Sequence, residues 1–133
     1  MKKLLAILLV LCMCIGLAAC AKMEDFEDNL GRDYEIENLS DDDMEYFAEY
    51  MDVDVDDFDV QDAIEATNED TGVGVVIIEC GSKKLAEELA DEAGAIVKLL
   101  ELSYSSKYSF DVETKGAFVL IGEEDAIADA LGD

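Results

Sequence analysis

The stretch Val73-Gly74-Val75-Val76-Ile77-Ile78 is predicted to be a β-strand. Successive side chains of a strand point to opposite faces, so a strand built from these residues is apolar on both faces. That pattern is typical of a central strand that is covered on both sides. The glycine at position 74 indicates a bulge or the close approach of a neighbouring backbone.

The residues before this strand predict its hairpin partner. Residues 60–67 alternate in part between apolar and polar side chains, although helical spacing also fits them. The turn signal Asn68-Glu69-Asp70-Thr71-Gly72 follows at once and leads directly into the apolar stretch. The turn and the strand beyond it favour a strand over residues 60–67.

A second hairpin is predicted near the C-terminus. Residues 108–113 alternate between apolar and polar side chains, which predicts a half-exposed strand. Thr114-Lys115-Gly116 suits a tight turn in which Gly116 supplies a positive φ. Ala117-Phe118-Val119-Leu120-Ile121 is again apolar on both faces. The weak echo between the two hairpins predicts an antiparallel sheet of about four strands.

The first predicted helix runs from residue 41 to residue 51. Ser40 is a good N-cap, and Asp43 stands where a capping box places its acid. The apolar side chains that follow are spaced to form one helical stripe, which we expect to face the core: Met44, Phe47, Ala48 and Met51.

Two more helices follow the first hairpin and the second hairpin. A continuous apolar face predicts a helix over residues 83–102, with Ser82 as its cap. Gly94 leaves a second interpretation open, in which the helix ends there and residues 95–102 form a strand. Residues 123–131 are predicted to form a short last helix.

These elements predict an α+β fold, a two-layer sandwich with helices packed on the antiparallel sheet. The single domain is expected to span residues 40–133. The residues from 20 to 39 are acidic with scattered apolar groups, and we predict a tether there. Tyr34 and Ile36 alternate with acids, so a short edge strand is the alternative for that part.

The N-terminus has the composition of an export signal. Lys2 and Lys3 precede an apolar run that reaches Ile15, and small residues follow. The run is too short to cross a membrane comfortably as a helix. Residues 1–19 are therefore predicted to be a signal peptide.

Leu17-Ala18-Ala19-Cys20 resembles the lipobox of bacterial lipoproteins. In that family the signal is cut just before the cysteine, and the thiol receives a diacylglyceryl group. The resemblance implies cleavage between Ala19 and Cys20, lipidation of Cys20 and a lipidated tether over residues 20–39. Two acyl chains anchor a protein stably, so the implied location is the cell membrane, on its extracytoplasmic face. The alternative is an ordinary secretory leader with an incidental cysteine.

The last third of the chain carries a second, less specific resemblance. Lys115-Gly116-Ala117-Phe118-Val119-Leu120-Ile121-Gly122 is similar to a segment of uncharacterised small lipoproteins of Gram-positive anaerobes. That resemblance implies no known activity.

The charge of the chain restricts its partners. The formal net charge is −25, and the predicted leader holds only basic charges, so the remainder is more acidic still. Such a surface repels nucleic acid and anionic headgroups. A basic protein partner or divalent cations are the expected partners, and simple solvation of the surface is the alternative.

The densest acidic segment runs from Asp52 to Asp59. Alternate carboxylates are typical ligands of hard cations, which predicts a weak Ca²⁺ or Mg²⁺ site made of Asp52, Asp54, Asp56 and Asp59. An EF-hand is excluded, because Asp57 stands at the position of its glycine and Ala63 at the position of its bidentate glutamate. The alternative is a solvated acidic connector after the first helix.

The sequence contains no catalytic set. There is no histidine, so neither a Ser–His nor a Cys–His pair can form. Cys80 is the one cysteine left after removal of the leader and acylation of Cys20, and we expect it to be a buried apolar residue, with a reactive thiol beside Lys83 and Lys84 as the alternative. No cofactor is expected, and the predicted function is a non-enzymatic binding or accessory module.

Overall fold

The computed structural model describes residues 22–103 and 107–132. The predicted signal peptide, residues 1–19, and the predicted lipidation site Cys20 lie outside the described residues. Within those residues, none of the helices combines the length and the apolar composition that a membrane crossing requires.

The described residues form five strands and five α-helices. In chain order they are α1 (Met23–Leu30), β1 (Tyr34–Asn38), α2 (Asp41–Met51), β2 (Asp62–Asn68), β3 (Gly74–Glu79), α3 (Lys83–Glu92), α4 (Gly94–Ser103), β4 (Phe110–Lys115), β5 (Phe118–Glu123) and α5 (Glu124–Leu131). The strands form one sheet in the order β1-β2-β3-β5-β4, and every neighbouring pair is antiparallel. The predicted α+β class, with an antiparallel sheet and helices packed against it, is confirmed.

The helices cover both faces of the sheet, so the domain has three layers where the sequence predicted two. Phe118 and Leu120 of β5 point into a core that α1 and α5 cover. Val119 and Ile121 of the same strand point into a second core, which α2, α3 and α4 cover. The central strands β3 and β5 are apolar on both faces, and burying both faces requires a helical layer on each side.

The region predicted to be a tether is folded from Met23 to Asn38, which is a correction. Phe26 is 1 % exposed, and its ring lies 4.9 Å from that of Phe118 in an edge-on contact. Met23, Phe26 and Leu30 are spaced to form one apolar stripe on α1. This stripe packs against the sheet, although the rest of the helix is acidic. The alternative of an edge strand at Tyr34 and Ile36 is confirmed. This strand, β1, adds a fifth strand to the sheet of about four that the sequence predicted.

Hydrogen bonds join this N-terminal segment to the last helix. The Asn29 side chain donates to the carbonyl oxygen of Ala130 at 2.9 Å. The Tyr34 hydroxyl donates to the Asp129 carboxylate at 2.8 Å. Burial and this hydrogen bond raise the pKa of Tyr34 to about 12. The first and last parts of the domain therefore stabilise each other across one face of the sheet.

The first predicted helix is confirmed in detail. Helix α2 spans Asp41–Met51, and the Ser40 hydroxyl accepts from the Asp43 backbone N–H at 3.2 Å. The Asp43 carboxylate accepts in return from the Ser40 N–H at 3.1 Å, which completes the capping box.

The predicted continuous helix over residues 83–102 is interrupted. Helix α3 ends at Glu92, Ala93 has φ −73° and ψ −7°, and α4 begins at Gly94. The alternative of a strand over residues 95–102 is also wrong, because the chain stays helical beyond Gly94. Ala93 and Ile96, on the two sides of this interruption, both lie in the same core.

Both predicted hairpins are present. Strands β2 and β3 pair from Asp62 opposite Glu79 to Thr67 opposite Gly74. A Cβ atom at Gly74 would overlap the Ala66 carbonyl oxygen, so the predicted close approach of two backbones is confirmed. The second hairpin turns at Gly116, which has φ 57°.

Candidate functional site

A large open groove of about 1010 Å³ lies beside α2 and the segment that follows it. Nine carboxylate residues line it: Asp41, Glu45, Glu49, Asp52, Asp54, Asp56, Asp57, Asp59 and Glu92. Its remaining lining residues are apolar: Met44, Ala48, Val53, Val55, Phe58 and Val60. No lysine or arginine is among the described residues that line it. We call this surface the acidic groove.

Local backbone chemistry shapes the acidic groove. Asp52 ends α2 in the left-handed conformation with φ 57°, and Asp59 adopts the same conformation with φ 47°. Aspartate tolerates this region better than most residues with a side chain. Between them, Val55–Phe58 forms a single 3₁₀ turn that buries Phe58 against the core. The side chains of α2 and of residues 52–60 together line the acidic groove.

The predicted metal site is not assembled in this arrangement. Among residues 22–103 and 107–132, no three acidic or cysteine side chains lie together in a way that could hold a metal ion. The Asp54 carboxylate turns back to accept from the Asp56 backbone N–H at 3.0 Å. Asp52, Asp54, Asp56 and Asp59 therefore do not come together as a set of metal ligands in this arrangement.

Cys80 is buried at the edge of the same region, as predicted. It is 2 % exposed and packs in the core beneath α2 and α3. Burial, together with the nearby negative charges of Asp59 and Glu79, raises the pKa of its thiol to about 11. The two lysines pair instead with acids one turn along α3. The Lys83 Nζ atom lies 3.9 Å from Glu87 Oε1, and the Lys84 Nζ atom lies 4.0 Å from Glu88 Oε1. The alternative of an activated thiol therefore has no support.

Two tyrosines on the outer side of α2 were missed by sequence reasoning. Tyr46 is 62 % exposed and Tyr50 is 47 % exposed. Their rings pack edge-on at 5.1 Å, and their hydroxyl oxygens lie 2.7 Å apart. The hydrogen bond between the two hydroxyls raises the pKa of Tyr50. Two aromatic residues four positions apart, outside the apolar stripe of a helix, are the signal that indicates such a pair.

A second, smaller concavity lies on the other side of α2. It has a volume of about 160 Å³ and lies where α2 and α4 meet β2 and β3. Its apolar lining side chains include Phe47, Val73, Val76, Ile96, Leu100 and Phe110. We call this surface the apolar cleft, and sequence reasoning did not predict it.

Comparison with known proteins adds no assignment. The chain matches no family model, no curated protein and no solved structure. The chemistry of the two concavities and the N-terminal sequence are therefore the features that bear on function.

Proposed function

We propose that this chain is a membrane-anchored extracytoplasmic lipoprotein whose domain is a non-enzymatic binding or accessory module. Its partner is a basic protein, which docks through positive side chains in the acidic groove. The observation that carries the proposal is the collection of nine carboxylates in one concavity whose described lining has no positive charge.

Electrostatics favours a cationic occupant of this groove. The carboxylates repel one another, and a lysine or arginine side chain placed among them relieves that repulsion. The apolar floor, which includes Val53 and Val55, offers contact for the aliphatic parts of such side chains. Attraction of this kind steers association and weakens as salt is added.

The proposed anchor keeps the folded domain close to the membrane. Only two residues separate Cys20 from Met23, where the folded domain begins. An extended chain covers at most ~3.6 Å per residue, so the start of α1 stays within about 10 Å of the lipidated residue. A partner that binds the domain is thereby held at the bilayer surface.

Lipidation is tested by mass spectrometry of the chain expressed with its full leader in a bacterial host. We expect a mature chain that begins at Cys20 and carries a diacylglyceryl group. We expect a Cys20→Ser variant to stay uncut and to lack the lipid. A wild-type chain with a free thiol at Cys20, or with its leader intact, would disprove the anchor.

The acidic groove is tested with the full chain in detergent micelles and a fluorescent polylysine peptide. One variant removes four groove charges, Glu45→Gln, Glu49→Gln, Asp56→Asn and Asp57→Asn. A matched variant removes four exposed charges from other elements, Glu24→Gln, Asp28→Asn, Glu35→Gln and Glu37→Gln. We expect the groove variant to lose at least tenfold in affinity and the matched variant to lose much less. Equal losses would mean that only the net charge of the domain attracts cations.

The partner itself is sought by capture from solubilised cell envelope with wild-type chain and both four-charge variants. We expect at least one protein to bind the wild-type chain and the matched variant, and to leave as salt is raised. If every captured protein also binds the groove variant, the acidic groove is not the docking surface.

A further inference from the structure

The apolar cleft has the size and lining of a pocket for one side chain. An apolar cavity of about 150 Å³ holds a single benzene ring, and the volume here is about 160 Å³. Phe47, Val76 and Leu100 in its lining are only half-buried, and Glu65 at the same place is exposed. The cleft therefore reaches the protein surface and is accessible to an incoming group.

Helix α2 connects the apolar cleft to the acidic groove. Successive residues of a helix are rotated by ~100°, so Phe47 in the cleft and Glu45 and Glu49 in the groove lie on opposite flanks of α2. Tyr46 and Tyr50 occupy the outer surface between these flanks and are both exposed. One continuous surface thus runs from carboxylates through two tyrosines to an apolar pocket.

The charges around the cleft determine which occupant fits. Helix α2 carries five acids and no basic residue, Asp41, Asp42, Asp43, Glu45 and Glu49. A second copy of this chain would bring its own acidic surface against them, and anionic headgroups would be repelled in the same way. A positively charged segment is attracted instead, and exposed tyrosine rings are good contacts for lysine and arginine.

We propose that the apolar cleft receives one large apolar side chain, aromatic or branched aliphatic, from a cationic polypeptide segment that crosses α2. The basic residues of that segment contact Tyr46, Tyr50 and the acidic groove. This inference rests on the proposed function, because it names the chemistry of the basic partner. It adds that recognition depends on an apolar anchor as well as on charge.

The test uses two amidated peptides that differ in one side chain. Both contain four lysines and two glycines, and the central residue is phenylalanine in one and alanine in the other. The full chain is held in nanodiscs of zwitterionic lipid, and the dissociation constants are measured by fluorescence anisotropy at low and moderate salt. We expect the phenylalanine peptide to bind about tenfold more tightly. The ratio should persist at moderate salt, although both affinities fall.

Variants locate the contact. We expect Phe47→Ala and Leu100→Ala, each checked for native circular dichroism, to reduce the ratio of the two affinities several-fold. Leu102→Ala is the matched control, because Leu102 is 80 % exposed on α4 and does not line the cleft. The double variant Tyr46→Ser, Tyr50→Ser changes only exposed side chains, and we expect it to weaken the binding of both peptides.

The outcomes separate this inference from the proposed function. Equal binding of the two peptides to the wild-type chain would overturn the cleft proposal and leave the acidic groove as a docking surface. The cleft proposal would also be overturned if Leu102→Ala reduced the ratio of the two peptide affinities as much as Phe47→Ala does. A dimer that forms with rising concentration and is lost in Phe47→Ala would show that a second copy occupies the cleft. Failure of both peptides to bind would disprove the proposed docking of a basic partner in the acidic groove.

Discussion

At the scale of single residues, position in the fold decides what each reactive group can do. Cys80 and Lys83 are three positions apart in the sequence, which is close enough to suggest an activated thiol. In the fold the thiol faces the core, while the Lys83 ammonium lies on the outside of α3, 3.9 Å from Glu87. The thiol meets apolar groups and two negative charges, and all of these disfavour its thiolate form.

The raised pKa of Cys80 predicts a loss of stability in alkali. The pKa of the thiol rises from 9.0 in an exposed cysteine to about 11 in the fold, so the unfolded chain gives up its proton first as pH rises. The contribution to stability is complete below pH 9 and is lost as pH rises towards 11. We expect urea midpoints to fall more between these pH values for the wild-type chain than for Cys80→Ala. Equal falls of the urea midpoint in the wild-type chain and in Cys80→Ala would contradict the raised pKa of Cys80.

At the scale of elements, an acidic segment can be part of a core. Helix α1 has two acids in its first turn and no basic residue in its last turn, yet its Phe26 and Leu30 are buried. A single stripe of three apolar residues was too weak a signal to distinguish a packed helix from a tether. The decisive contacts are with Phe118 and with α5, about a hundred residues away in the chain.

The packing of α1 predicts a large effect of truncating Phe26. We expect Phe26→Ala to lower the free energy of unfolding by about 3–5 kcal/mol, because it leaves a cavity in a closed core. Tyr46→Ala removes an exposed aromatic side chain and should change stability by less than about 1 kcal/mol. Denaturant titration of both variants measures the difference. Two equally small effects would support the tether over the folded helix.

The junction of α3 and α4 predicts a stabilising substitution. A Cβ atom at Gly94 would contact nothing within 4 Å, and alanine favours the helix by about 1 kcal/mol relative to glycine. We expect Gly94→Ala to raise the unfolding midpoint. Gly116→Ala is the matched change, and we expect it to lower the midpoint because Gly116 has φ 57°. A drop in both would mean that the helix junction needs its glycine.

At the scale of the whole molecule, one sign of charge dominates. Acidic residues number 34 and basic residues 9. The ion pairs Lys83–Glu87 and Lys84–Glu88 are highly exposed, and such pairs add little stability. The domain holds together through two apolar cores, against a repulsion that extends over its surface.

This repulsion predicts that salt stabilises the domain. We expect the melting temperature to rise as sodium chloride is increased to about 0.5 M, because the Debye length falls below the spacing of most surface charges. The variant that lacks four charges of the acidic groove should have a higher melting temperature at low salt. Its melting temperature should increase less as sodium chloride is added. A melting temperature that does not respond to salt would show that the acidic surface costs the fold nothing.

The local elements could be read from the sequence with good accuracy. The capping box at Ser40, the end of α2 near Met51 and the two hairpin turns depend on neighbouring residues alone. The export signal and the lipobox are equally local patterns, and they remain predictions. The double-sided apolar strands also indicated that β3 and β5 lie at the centre of a sheet.

Only the tertiary structure decided the third layer and the two concavities. Helix α1 is buried against β5 and α5, and the acidic groove is lined jointly by α2, the segment from Asp52 to Asp59 and Glu92 of α3. The apolar cleft needs α2 and α4 to meet over the same strands. These features depend on contacts between residues far apart in the chain, and a periodic pattern within one segment carries no information about which distant surface will bury it.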